Sequence, residues 1–226
     1  MKIRCEYSVS PELKFLSNLD MMHMMERALR RADIPYALTE GFNPHIKLSM
    51  GTVLPVGLWG EREYFDLELT KEVSIDWFIK QMDSVLPEHI NIMRAIENNS
   101  QESLMKTINA ACYSYKIIGL SESEVKQIIN NMMNKSELTI ASRGKKKNVE
   151  KNLKPGIYEI EVKEQNDSVI IDLTVAVGEP VNIRFDELKD VLLQAGIKES
   201  NLADIYRKSN LIKKSANYYT PLEKVV

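Results

Sequence analysis

The chain has 226 residues, 44% of them hydrophobic and 27% charged, with 30 Lys and Arg against 32 Asp and Glu for a formal charge of −2. That balance excludes a disordered chain and a uniformly basic nucleic-acid binder, and leaves room for a local basic face. The length fits one large or two small domains.

Ile3 to Val9 alternates and predicts a strand. Ser17-Asn18-Leu19-Asp20 is a helix start, because the Ser hydroxyl can accept from the backbone three residues on and Asp20 sits in the first turn. The helix should end near Ala32, since the residue before Pro35 is pushed out of helical geometry. Four methionines (Met21, Met22, Met24 and Met25) surround His23 in it. Met22, Met25 and Leu29 at helical spacing read as a core stripe, the alternative being a methionine-rich metal box. Gly41 to His45 is a loop, Lys47 to Val53 and Glu63 to Leu69 are strands, and Ser74 caps a helix carrying Ile75, Phe78, Ile79, Met82 and Val85. Ile90 to Ile96 alternates again. The polar stretch Glu97 to Glu102 is the expected boundary. Beyond it come a strand from Ala111 to Ile118, a helix from Ser121 to Met133, and strands over Leu138 to Ser142, Gly156 to Lys163 and Val169 to Val177. A helix from Phe185 to Gln194, closed by Gly196, follows. The expected fold is α+β: two tandem ferredoxin-like (βαββαβ) halves with antiparallel sheets. Residues 1–98 form the half with the first helix and the Gly41 loop, residues 108–212 the second half with a basic loop, and residues 213–226 a flexible tail. The second half has one strand to spare.

Rare residue types gather where the first helix hands over to its loop. Arg27, Arg30 and Arg31 lie at i, i+3 and i+4 and share a helix face. Guanidiniums that close repel unless anions sit among them, a role Glu26 and Asp33 partly fill. Then come Gly41-Phe42-Asn43-Pro44-His45 and Lys47. Gly41 permits positive φ, Pro44 fixes the turn, and Phe42 and His45 offer flat faces. Arginine forks for phosphates beside rings for bases are what RNA-binding surfaces use; the alternative is a solvated charged face. A second basic element, Arg143-Gly144-Lys145-Lys146-Lys147 with Lys151 and Lys154, reads either as a loop tracking a phosphate backbone or as a hairpin tip kept soluble by lysines. The RNA- or phosphate-binding candidates are therefore Arg27, Arg30, Arg31, Phe42, Asn43, His45, Lys47, Arg143, Lys145, Lys146 and Lys147. Ser17, Asp20, Gly41 and Pro44 shape the site.

Signals for catalysis are thin. His45, Asp20 and Ser17 offer an acid–base pair and a nucleophile, yet a helix cap already accounts for Ser17 and Asp20. The chain has no Gly-x-Ser-x-Gly, Walker loop, Gly-x-Gly-x-x-Gly or His-Glu-x-x-His. Glu61, Glu63, Asp66 and Glu68 form an acidic cluster without histidines, a poor metal site. Cys5 and Cys112 are the only cysteines, far apart, and are expected to be reduced core thiols. No metal, cofactor or independent activity is expected. With no run near the roughly 20 apolar residues of a membrane span and no signal-peptide core, a cytoplasmic location is expected.

The block Phe15-Leu16-Ser17-Asn18-Leu19-Asp20, Glu26-Arg27-Ala28-Leu29-Arg30-Arg31-Ala32, Ile34-Pro35, Gly41-Phe42-Asn43-Pro44-His45 and Leu54-Pro55-Val56-Gly57 resembles the radical SAM-linked protein family. That family is a bacterial domain of unknown function, standing alone or fused to the C-terminus of a cobalamin-type radical SAM protein. The resemblance is dense through Leu69 and continues through Arg143-Gly144-Lys145, Asp186-Glu187-Leu188 and Tyr206-Arg207. Between Val149 and Pro155 it departs, with Asn152 and Lys154 where the family has an Asp-x-Arg-Pro-like segment. The resemblance implies a partner, a separately encoded radical SAM enzyme, because this chain lacks a Cys-x-x-x-Cys-x-x-Cys cluster of its own. Joined to the basic elements, it implies an accessory module that presents structured RNA, a tRNA or rRNA, to that enzyme. The other readings are an enzyme acting on a small phosphorylated or nucleotide substrate through Arg27, Arg30, His45 and Lys47, and a module that docks protein without RNA.

Overall fold

The computed structural model describes residues 1–100, 102–143 and 149–223. These divide into two compact units, Met1–Ile108 with Ser209–Val226, and Asn109–Lys208.

The first unit runs β1 (Lys2–Val9), α1 (Asn18–Arg31), β2 (Leu48–Met50), β3 (Trp59–Glu68), α2 (Ile75–Asp83), β4 (Ile90–Glu97) and the short α3 (Leu104–Thr107). β1 pairs antiparallel with both β3 and β4, and β2 antiparallel with β3, giving the ferredoxin-like order β4-β1-β3-β2. β2 is shorter than the expected Lys47 to Val53, and β3 starts earlier than Glu63. α1 opens on a reciprocal cap: Asp20 N donates to Ser17 Oγ and Ser17 N to Asp20 Oδ2, both at 3.2 Å. Strand alternation sends Ile3, Cys5, Tyr7, Val9, Phe65 and Leu67 to one face of the sheet. Met21, Met25, Ala28 and Leu29 of α1 and Phe78 and Met82 of α2 close over them. Each Val, Ile, Leu, Met or Phe among them taken fully out of water contributes about 1.5–3 kcal/mol. The methionine stripe therefore runs through Met21 and Met25, while Met22, assigned to it by spacing, is only half-buried.

The second unit runs β5 (Ala110–Ile117), α4 (Glu122–Met133), β6 (Thr139–Ala141), β7 (Glu150–Asn152), β8 (Ile157–Gln165), β9 (Ser168–Ala176), α5 (Phe185–Ala195) and the start of β10 (Leu202–Lys214). Its order, β10-β5-β9-β8, repeats that of the first unit. The spare strand is β6, which pairs only with β7, off this sheet. The fourth sheet strand is instead β10, whose run Asp204-Ile205-Tyr206-Arg207-Lys208 has no clean alternation and is unassigned by sequence. Ser121 and Glu124 cap α4 reciprocally, and Gly196, at φ +120°, closes α5.

The chain then returns to the first unit. β11 (Asn217–Tyr219) pairs with the end of β10, and Leu222 is buried. Residues 213–223, expected as a loose tail, are thus held by strand pairing and an anchored leucine. Leu222 joins Leu104, Ile108 and Ile96 against Tyr64, on the face of the first sheet that carries neither α1 nor α2. Next to them Arg4 donates to Asp66 twice, at 2.7 and 2.9 Å, and to the Pro221 carbonyl at 3.1 Å. No helix among the described residues is long and apolar enough to cross a membrane.

Removing one partner of a buried ion pair strands the other charge, at a cost of about 3–5 kcal/mol. Asp66→Ala should lower unfolding stability in urea by that amount. Lys2→Ala, at the half-open edge of the same carboxylate 3.3 Å away, should cost less than about 1 kcal/mol.

Candidate nucleic-acid interface

Arg27, Arg30 and Arg31 are all exposed on α1. Arg30 reaches Glu26 at 3.6 Å, and Arg31 Nη2 donates to the Val85 carbonyl at 2.7 Å. Arg27 forms no hydrogen bond or ion pair among the described residues. The following loop is pinched by the Leu38–Ile46 bridge, and His45 N donates to Thr39 Oγ1 at 2.9 Å. Gly41 takes φ +124°, the turn geometry for which glycine suits it. Phe42 is fully exposed, and Asn43, Pro44 and His45 are exposed beside it. Lys47 pairs with Glu68 at 2.9 Å, which raises its pKa. No hydrogen bond or ion pair among the described residues joins the three arginines to this loop. Ser17 and Asp20 are spent on each other in the cap, which also lowers the Asp20 pKa, and no bond links either to His45.

The second basic element is tied into its own unit. Arg143 grips Asp190 with two hydrogen bonds, at 2.7 and 3.0 Å, and this pairing raises its pKa further. Its backbone N–H and that of Arg184 donate to the buried Glu187, which also takes the Lys151 ammonium at 2.6 Å. The Lys154 ammonium rests on the Lys135 carbonyl. Glu187 thereby fastens β7 and the residues that follow β6 to α5. Lys145, Lys146 and Lys147 lie outside the described residues.

On the helix-free face of the second sheet, Asp172 accepts from Ser114 Oγ at 2.5 Å, from Lys163 at 3.0 Å and from Lys208. Burial alone would raise the Asp172 pKa; the Lys208, Ser114 and Lys163 bonds outweigh it and lower the value. Nearby Cys112 is pushed up to about 11, by burial first and by Asp172 second. Cys5 is raised by its full burial. Neither thiol carries appreciable thiolate near neutral pH.

A different set of residues comes together on the helix-free face of the first sheet. β3 is bulged against β1 opposite Tyr7 to Val9, and β4 is bulged against β1 opposite Glu6 and Tyr7. Two bulges at one level, one on each side of a strand, turn their flanking side chains out of the pleat. They open a pocket of about 510 Å3 whose lining includes Glu6, Ser8, Trp59, Arg62, Met93 and Arg94. Arg62 and Arg94 are exposed, and neither has a hydrogen-bond or ion-pair partner among the described residues. Glu6 is 5% exposed and accepts the Tyr64 hydroxyl at 2.5 Å. Burial, and then this bond, raises the Tyr64 pKa, so the phenol stays a donor. Met93, the residue thrown out by the β4 bulge, takes the Ser8 hydroxyl at 3.7 Å on its sulfur.

Sequence reasoning missed Glu6, Trp59, Arg62 and Arg94, because a bulge is a property of two strands in register and leaves no mark in either alone. It also grouped acids that the sheet separates. Glu63 faces the helix side and accepts from Asn210 at 3.1 Å, Asp66 holds Arg4 on the other face, and Glu68 holds Lys47. Among the described residues, no three His, Cys, Asp or Glu side chains form a group able to hold a metal ion.

A family described as an uncharacterized protein conserved in bacteria, DUF2344, matches residues 2–185. The chain belongs to that family. No curated protein matches it. Among solved structures, a chain of a Cbf5-Nop10-Gar1 complex aligns at TM-score 0.53 and 13% identity, over 92% of this DUF2344 chain and 48% of its own length. The DUF2344 chain thus spans about half of that neighbour, and the likeness is one of fold. An unknown protein from Galdieria sulphuraria covers 92% of this chain and 96% of its own at 12% identity, but its TM-score of 0.25 carries no weight.

The lowered Asp172 pKa sets a pH dependence. Its contribution to stability is complete above the ordinary aspartate value of 3.8 and is lost as pH falls through the lower folded value. The stability gap between the parent protein and Asp172→Asn, measured in urea, should be constant at neutral pH and shrink in acid below 3.8. A gap that widens in acid would reverse the assignment.

Proposed function

We propose that this DUF2344 protein is an accessory module that binds RNA and presents it to a separately encoded radical SAM enzyme for modification. One observation carries the RNA half: Arg62 and Arg94 stand without internal partners beside Trp59, on a sheet face left open by its helices. Guanidinium forks match phosphate oxygens, and an indole face stacks on any base. Sheet faces bearing rings are a recurrent platform for unstacked single-stranded RNA. Arg27 and the exposed Phe42 extend the same chemistry over the surface of the first unit.

The partner half rests on the resemblance of residues 15–57 to the radical SAM-linked family. The two cysteines of these residues are both buried and are one short of the three in a Cys-x-x-x-Cys-x-x-Cys cluster, so this stretch of chain does not itself hold one. A tagged chain should co-purify with a protein bearing Cys-x-x-x-Cys-x-x-Cys. Recovering neither RNA nor such a protein would end the reading.

The direct test is anisotropy with a short single-stranded RNA across a salt series. Affinity should fall with a log–log slope of about −0.7 per phosphate contacted. Arg62→Gln with Arg94→Gln should flatten the slope by about 1.4, the share of two contacts. A slope that those substitutions leave unchanged contradicts the interface. Saturation by a small phosphorylated compound with a shallow slope would favour an enzyme's pocket instead.

A further inference from the structure

We infer that the pocket on the helix-free face of the first unit takes a single unstacked guanine base, with Glu6 reading its Watson–Crick edge; this rests on the RNA reading above and names what the site selects. Glu6 is the one nearly buried carboxylate in the pocket lining, at 5% exposure. Tyr64 donates to its Oε2 and holds it in place. Each carboxylate oxygen has more than one acceptor site, so Glu6 can still take two donors from a ligand.

The bases differ in what they offer such a group. Guanine presents two adjacent donors, the ring N1–H and the exocyclic N2–H. Adenine and cytosine each set a ring-nitrogen lone pair beside their amino group, and uracil flanks one N–H with two carbonyl oxygens. A desolvated carboxylate repels those lone pairs, and the low dielectric sharpens the penalty. The opposite edge of guanine carries O6 and N7, for which an arginine fork is the usual partner. Arg94 lies directly across from Glu6 in the β1–β4 register and pairs with no carboxylate among the described residues, Glu6 included. It is therefore free for that edge. Trp59 supplies a stacking surface and Met93 an adaptable apolar wall. Arg62, which lines the pocket from within the β3 bulge, remains for the phosphate. At about 510 Å3 the pocket falls inside the range of small-ligand sites, roughly 300–1,000 Å3.

The test titrates the full chain with GMP, AMP, CMP and UMP, then compares an oligouridine with the same oligomer carrying one central guanosine. GMP and the guanosine oligomer should bind about tenfold or more tightly than their counterparts. Glu6→Gln keeps an acceptor for Tyr64, and it should bring GMP down to the level of AMP. Arg94→Ala, at an exposed position that does not threaten folding, should also weaken GMP selectively. RNA binding with no preference for guanosine overturns the guanine assignment and leaves the RNA reading standing. Absence of all RNA binding overturns both. A preference undiminished in the folded Glu6→Gln and Arg94→Ala proteins places guanine elsewhere and overturns the pocket.

Discussion

Arg4 leaves β1 on the side of the sheet away from α1 and α2, where it is almost wholly removed from water. A charge in that position is tolerated only with partners, because an unpaired buried ion costs several kcal/mol. Asp66 on β3 supplies both oxygens, Asn98 adds a donor to the same carboxylate at 3.3 Å, and the Pro221 carbonyl takes the remaining arm of the guanidinium. This arrangement ties the returning C-terminal segment to the middle of the face. With Leu222, Leu104 and Ile108 packed beside it, that stretch of the sheet is closed. The closure stops short of Glu6 and Ser8, and the pocket begins there.

The two units share a strand order but use their helix-free faces differently. In the second, Asp172 is surrounded by Lys163, Lys208 and Ser114, so the charges on that face are spent on one another. In the first, Arg62 and Arg94 have no such outlet. Within a chain of formal charge −2, where unneutralised cations sit matters more than how many there are. The same accounting lowers the standing of Arg30, Arg31, Lys47 and Arg143 as ligand contacts. Each already has a carboxylate or carbonyl to hold, and a ligand would have to displace it. Arg27 and Phe42 carry no such commitment.

Much of the fold was legible because its signals are local. The Ser17–Asp20 cap, the helix start at Ser121, the proline stop after α1 and the alternation of β1 and β4 each lie within one short window. Two tandem ferredoxin-like halves followed from their order. β10 escaped because Asp204, Arg207 and Lys208 break the alternation of a strand whose neighbours come from distant sequence. Val149 to Pro155 departs from the family pattern, yet Lys151 and Lys154 there turn out to anchor a hairpin rather than to face a ligand. The pocket was illegible for a stricter reason. Its residues come from three strands and are gathered by register slips, while the arginines that stood out in sequence did so by crowding along one helix.

The claim that RNA lies on the open sheet face of the first unit is tested most directly by photocrosslinking. The full chain would be irradiated with a thiouridine-containing RNA and its crosslinked peptides mapped by mass spectrometry. Crosslinks concentrated on peptides containing Trp59 to Arg62 and Met93 to Arg94 are the predicted result. Crosslinks confined to α1 and the Gly41 to His45 loop, with those two peptides unlabelled, would contradict it.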